Sequence, residues 1–255
     1  MGLQKLIRGK TARDGEVSLP AFYAFRAGSW RDYVNLLHPP YTVWHLSYVA
    51  LGWALAPSTH WDRLGAVTLA FFLAVGISSH SLDELHGRPL KTNIPSPVLA
   101  VLAVASLLGA LAIGVAGVFT ISLWLLPFIV LGTFFALAYN LELARGWFHT
   151  GFWFGIAWGA FPVLTGYFAN WGGLAPEAFI AAAAAFFFSV AQRALSGPVR
   201  SMRRKVLMAQ GSLTMKDGTV LPLSKGNLLR APERALQALS LVMVLLAGAL
   251  LLGKA

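Results

Sequence analysis

His80, Asp83 and Glu84 stand at i, i+3 and i+4, a spacing that puts an imidazole and two carboxylates on one face if a helix runs through them. His86, Arg88 and Lys91 follow closely. A second polar group, Tyr139, Asn140, Glu142, Arg145 and His149, begins only after a stretch from Asn93 to Leu141 with no Lys, Arg, Asp, Glu or His. That stretch suffices for two membrane crossings, so both groups emerge on one side. Ionisable groups collected at one end of a hydrophobic bundle are costly to keep there, which makes them candidates for a functional site. Imidazole with carboxylate is a ligand set for Fe, Mn or Zn, and carboxylate with phosphate oxygen is the usual set for Mg²⁺. His80, Asp83, Glu84, His86, Glu142 and His149 are therefore the candidate metal ligands. His38 and His45 fall near the same end, with His45 turned toward the bundle. Asp83 or Glu84 paired with Arg88 as a structural ion pair is the plainer reading of that segment.

The elements that must position these groups are membrane helices. The 255 residues are 57% hydrophobic and 12% charged, about half the charge of a soluble domain. Seven spans of suitable length are read at Tyr41 to Pro57, Leu64 to Ser79, Pro95 to Val118, Ser122 to Tyr139, Phe152 to Asn170, Ala178 to Leu195 and Ala235 to Leu252. Pro162 predicts a kink in the fifth. Gly151, Gly155 and Gly159 in the same span have the spacing of close helix packing, or of room for a lipid chain. The expected fold is thus an all-α polytopic bundle with a central cavity. Of the 20 Lys and Arg, all but Arg63 and Lys254 fall on one side, which puts the N-terminus in the cytosol of a cell whose inner (plasma) membrane holds the protein.

Four regions follow: a cytosolic tail over 1–29, a bundle over 30–195, a basic cytosolic segment over 196–233 and a last span over 234–255. Ser29 to Leu37 reads as a short interfacial helix. Ser212 to Leu223 reads as a β-hairpin turning at Asp217-Gly218 through a tight I′ turn, either a lid or a plain surface hairpin. The first 31 residues lack a continuous apolar run, so no cleavable signal peptide is expected. The absence of Cys excludes disulfides and thiolate metal sites. The net charge of +10 follows from topology and suits anionic lipid headgroups, so no nucleic-acid partner is expected.

The order of these elements resembles the UbiA superfamily of intramembrane prenyltransferases. Asp83 followed by Gly87-Arg88-Pro89-Leu90 and Ile94 is similar to the acidic motif that closes the family's second span. Tyr139-Asn140-Leu141-Glu142, Arg145 and Trp158-Gly159 are similar to the family's fourth and fifth spans, and Trp30 to Ala56 to its entry helix. The likeness covers roughly residues 30–197. It departs where His80 and Gly87 replace acidic residues, where Gln192-Arg193-Ala194-Leu195-Ser196 replaces a second acidic motif, and where one span follows instead of three.

The resemblance implies Mg²⁺ holding an isoprenyl diphosphate, whose loss of pyrophosphate gives an allylic cation. On that reading Asp83, Glu84 and Glu142 are the catalytic carboxylates. Arg88, Lys91, Arg145 and Arg193 hold phosphate, and Tyr139, Asn140 and His45 complete the substrate site. The expected function is that of a diverged UbiA-like membrane enzyme acting on a polyprenyl or other lipid. Two alternatives stand beside it. One is a His/carboxylate Fe, Mn or Zn enzyme that oxidises or hydrolyses a lipid. The other is a non-enzymatic lipid-binding subunit docking a protein partner through the basic 196–233 segment.

Overall fold

The computed structural model describes residues 19–255. Residues 1–18 of the expected tail over 1–29 therefore lie outside the described residues. The chain is an all-α bundle with one small hairpin. Its elements are α1 (Trp30–Leu36), α2 (Pro39–Leu55), α3 (Trp61–Leu85), α4 (Ser96–Thr120), α5 (Leu126–Asn140), α6 (Leu143–Gly146), α7 (Gly151–Trp171), α8 (Pro176–Lys205), β1 (Gln210–Thr214), β2 (Val220–Ser224) and α9 (Lys225–Leu252). A 3₁₀ turn, Leu123–Leu125, leads into α5.

Six helices are long and apolar enough to cross a membrane: α3, α4, α5 with its 3₁₀ lead-in, α7, α8 and α9. Helix α2, with 17 residues, lies among them and buries most of its length, including Trp44, Tyr48 and Trp53. Its closest neighbour is the second half of α7. Gly52 lies against the backbone of Val163 and Gly166 against that of Val49, so a β-carbon at either would overlap the facing helix. Gly155 and Gly159 play the same part between α7 and α8, where a β-carbon would come within 2.6 Å of Phe186 and 2.5 Å of the Ala185 carbonyl. The small-residue spacing in α7 thus serves close helix packing.

Three helices run further than their apolar stretches. Helix α3 continues past Ser79 to Leu85, α8 past Leu195 to Lys205, and α9 starts at Lys225 ahead of Ala235. Hydropathy marks only the apolar part of a helix, whereas its hydrogen-bond ladder continues into polar sequence. All three extensions lie at one end, here called the polar end, which also carries α1, the loops over 86–95 and 141–150, and the hairpin.

Two of the helices contain π segments, Phe72–Ser79 in α3 and Ile156–Ala160 in α7. The second is a consequence of Pro162. Proline has no N–H for the carbonyl four residues back, and its ring crowds that carbonyl, so the ladder widens ahead of it.

The hairpin pairs Thr214 with Val220 and Gln210 with Ser224. Its loop is wider than a two-residue I′ turn. Met215 N–H bonds to Thr219 O at 2.8 Å, Gly218 N–H to Met215 O at 2.9 Å, and of the loop residues only Gly218 has positive φ (83°). An I′ turn needs two such residues, whereas a three-residue loop ending in a left-handed glycine needs one.

Candidate functional site at the polar end

Each of three imidazoles is anchored by a backbone carbonyl at an irregular segment or end of a helix. His45 Nδ1 lies 2.8 Å from Trp158 O, the carbonyl that Pro162 releases. His80 Nδ1 lies 3.1 Å from Gly76 O, inside the π segment of α3. His149 Nδ1 lies 3.0 Å from Tyr139 O, in the last turn of α5. A carbonyl only accepts, so Nδ1 carries a proton in each ring. This fixes the orientation of the three rings.

His80 and Asp83 lie on the face of α3 that meets the start of α2, where Gly76 abuts Thr42. The His80 ring stacks on His38 at 4.3 Å between centroids and 28° between planes. His38 Nδ1 is in turn 2.5 Å from the Tyr23 hydroxyl. His38 is buried, and burial first, then His80, Arg204 and Arg200, hold its pKa well below the usual 6.5. Burial likewise pushes the Tyr23 phenol far above its usual value. Both groups are neutral at physiological pH.

Asp83 and Glu84 are neighbours with opposite surroundings. Glu84 is buried, and its oxygens accept from Leu90 N–H (3.0 Å), Thr92 N–H (2.8 Å) and the Thr92 hydroxyl (2.9 Å). Arg88 closes the same loop, donating to Thr92 O, Ile94 O and Ser96 Oγ. Asp32 secures it from α1, accepting from Asn93 N–H at 2.9 Å and from Gly28 N–H at 3.0 Å. Glu84 and Arg88 therefore build the loop that carries the Gly-Arg-Pro sequence. Neither is paired with Asp83. Arg204, Arg200 and His149 lie within electrostatic range of the Asp83 carboxylate, as does Glu84.

Opposite Asp83, Arg193 of α8 joins α5 to α7. Its guanidinium donates to the Tyr139 hydroxyl and, at 3.0 Å, to His149 O, and lies 5.5 Å from both the Tyr139 and Phe154 ring centres. The His149 ring stacks on Tyr139 at 4.4 Å, with its Nδ1 4.0 Å from Glu142 Oε1. Glu142 of the 141–150 loop thus approaches the His149 imidazole, which is also within electrostatic range of Asp83. Asn140 is buried but spends its amide on Ala136 O at 2.7 Å. His86, Lys91 and Arg145 are exposed on the loops. Among the described residues, no group of three or more His, Asp or Glu side chains is arranged to hold a metal ion.

The loops around this cluster are held in an uncommon backbone conformation. Ser29, His38, Arg88, Lys91, Glu142, Ala144 and Arg145 are the non-glycine residues with positive φ among those described, and all belong to the polar end. Such conformations cost energy for residues with a β-carbon and concentrate at sites that need a fixed shape.

Tyr23 and Tyr41 carry no motif in the sequence, and Arg200 and Arg204 read there only as part of the basic run that opens the 196–233 segment. Arg193, Arg200 and Arg204 are at i, i+7 and i+11, one face of a helix, but only if α8 passes through Ser196-Gly197-Pro198. The strap before α1 then closes over them. Arg204 Nε donates to Pro20 O at 3.4 Å, and Phe22 and Tyr23 pack on Tyr41, Val199 and Leu229.

Behind the cluster lies an apolar cavity of about 260 Å³ between α3, α4, α5 and α7. Ala70, Leu111, Phe128, Ile129 and Phe161 line it; Trp158 and Phe135 wall its polar end, and Asp62 and Arg63 stand at the other. Trp158 meets the Tyr139 ring edge-on at 5.7 Å. Tyr139, Phe154 and Trp158 are thus a layer of aromatic rings between the polar cluster and the cavity. Searches against protein-family models, curated proteins and solved structures returned no match.

Proposed function

We propose that this chain is an integral membrane enzyme of UbiA-like character that acts on an amphiphile with an anionic headgroup and an isoprenoid or similar apolar chain. The observation that carries the reading is the adjacency just described: a closed polar cluster and an apolar cavity, separated by one layer of aromatic rings. On this reading α2 is a seventh crossing. At about 1.5 Å per residue it spans about 25 Å, and α3, α7, α8 and α9 pack around it. The bias of Lys and Arg places the polar end in the cytosol.

The described residues gather no set of three protein ligands, so a divalent ion here would be held by one carboxylate and by the substrate. Asp83 is the carboxylate free to serve it, with phosphate oxygens and water completing an oxygen shell, as Mg²⁺ requires. A pair of ions does not fit, because Glu84 is committed to its loop and Glu142 is on the exposed side of His149. When bound, such an ion draws charge from the departing diphosphate. The chain's own residues do the rest. Arg193 orients Tyr139 and positions the headgroup beside it. The allylic C–O bond breaks with its electron pair leaving on the diphosphate, and the acceptor's electron pair then fills the carbon. Tyr139, Phe154 and Trp158 present π faces where that positive charge develops, and the cavity excludes water.

The test is pyrophosphate release from an isoprenyl diphosphate by purified protein with Mg²⁺. Release that is lost in Asp83→Asn supports the reading; its absence with every chain length and acceptor tried counts against it. The three carbonyl-anchored imidazoles favour a second reading, since that arrangement also prepares histidines to bind Fe, Mn or Zn. Elemental analysis of protein purified without chelator separates the two. A stoichiometric transition metal would favour the second.

A further inference from the structure

We infer that the arginine face of α8, formed by Arg193, Arg200 and Arg204, binds the phosphate oxygens of the headgroup directly, with no metal ion between protein and phosphate. The inference rests on the amphiphile reading above and names the group that recognises its polar end.

Charge and partners carry the argument. Arg193, Arg200 and Arg204 line one face of the polar half of α8, about 16 Å from first to last at 1.5 Å per residue, with Arg200 in electrostatic range of the other two. The carboxylates near them are Asp83, Glu84 and Glu233. Glu84 is satisfied by three donors of its own loop, and Glu233 is paired with Arg203 through two hydrogen bonds. Among the described residues, that leaves Asp83 as the carboxylate near Arg200 and Arg204. Each guanidinium has five N–H groups and uses only part of them: Arg193 on Tyr139 and His149, Arg200 on Ser196 Oγ at 2.9 Å, Arg204 on Pro20 O. A half-buried surplus of positive charge with spare, forked donors is the arrangement that captures a phosphate dianion.

An unsatisfied buried group points the same way. Gln192 is 2% exposed, and its Oε1 has no partner. It lies on the buried face of α8 between Ser189, bonded to the Tyr48 hydroxyl at 3.2 Å, and Val199, packed on Tyr41. This register sets Gln192 opposite the turn of α2 that holds His45, next to Arg193. A buried amide left open here is a reserve for a ligand group.

The strap supplies closure. Pro20 and Tyr23 cover the arginines from the aqueous side, so a bound phosphate is screened from water and its contacts strengthen.

The experiment is calorimetric titration of the detergent-purified chain, with EDTA present throughout, using three probes: inorganic pyrophosphate, a short isoprenyl diphosphate and the matching isoprenol. Saturable binding of the isoprenyl diphosphate is expected without divalent metal. It should weaken roughly tenfold or more in Arg200→Gln and in Arg204→Gln. The exposed Lys216→Gln, which removes the same charge from the hairpin loop, should change nothing. Circular dichroism and thermal unfolding establish that each variant is folded. Should a variant fail to fold, Arg200→Lys and Arg204→Lys keep the charge and remove the fork, and are expected to bind more weakly than the wild type. Pyrophosphate binding on its own identifies a free-phosphate site, whereas binding that needs the chain identifies a lipid headgroup site. Binding that appears only when Mg²⁺ is restored, or that survives both arginine substitutions, overturns the inference. Failure of the isoprenol to compete with the isoprenyl diphosphate counts against the cavity reading alone.

Discussion

Exchanging each of the adjacent carboxylates for its amide should give opposite phenotypes. Glu84→Gln keeps the size of the side chain and removes the charge. One oxygen can still serve the two donors of Thr92, but the amide nitrogen then faces Leu90 N–H, donor against donor. A buried N–H left without a partner costs about 1–3 kcal/mol, and each bond that loses its charge weakens by about 1 kcal/mol. Relief from burying a charge offsets part of this, which leaves a net loss of about 2–4 kcal/mol. At about 2–4 °C per kcal/mol for a chain of this size, Tm should fall by roughly 5–15 °C. Because the lost bonds hold the 86–95 loop, proteolysis in that loop should accelerate as well. Asp83 is in neither of the two ion pairs found among the described residues, and its charge lies within electrostatic range of Arg200 and Arg204. Asp83→Asn should therefore hold Tm within about 3 °C while Mg²⁺-dependent turnover disappears. Thermal unfolding by tryptophan fluorescence, alongside turnover of both variants, decides the matter. A stable Glu84→Gln beside a strongly destabilised Asp83→Asn would refute the assignment of structure to one and chemistry to the other.

Asn170→Ala should cost about 2–4 kcal/mol with ligand binding unchanged, read from denaturation curves. Its buried amide bonds Trp53 O, Ser58 O and His60 N–H, all far from the polar end. Gly52→Ala and Gly166→Ala should each lower folded yield and Tm by the equivalent of about 1–3 kcal/mol or more, because the new methyl meets backbone of the facing helix. Acid should also destabilise the fold through His38. Its folded pKa lies below the unfolded value near 6.5, so the unfolded chain binds the extra proton first. The contribution is complete above pH 6.5 and declines as pH falls below it, and His38→Gln should flatten that part of the stability–pH curve.

Six of the seven expected spans are helices long and apolar enough to cross a membrane, legible because about 20 apolar residues in a row require such a helix; the first, over α2, is not among the six. The charge-free stretch from Asn93 to Leu141 sets two polar groups at one end, where Asp83 and His149 lie within electrostatic range of each other. Their separate duties were not legible. Nothing in Asp83-Glu84 tells which carboxylate a loop six to eight residues further on will claim. The arginine face of α8 was hidden because Ser196-Gly197-Pro198 reads as a helix stop. In the fold, tertiary packing of Val199 on Tyr41 and Leu229 carries the helix through it. One link could have been drawn from sequence: Pro162 must release the Trp158 carbonyl. That His45 would take it, across 113 positions, needed the packing of α2 on α7.

The central claim is that a single amphiphile bridges the arginine cluster and the apolar cavity. An isoprenyl diphosphate with a photoreactive group at its chain end tests it most directly, with crosslinked peptides mapped by mass spectrometry. Adducts are expected on cavity residues such as Leu111, Ile129 and Phe161, and they should vanish in Arg200→Gln. Adducts confined to outward-facing positions such as Val101 and Phe119 of α4, undiminished by that substitution, would contradict it.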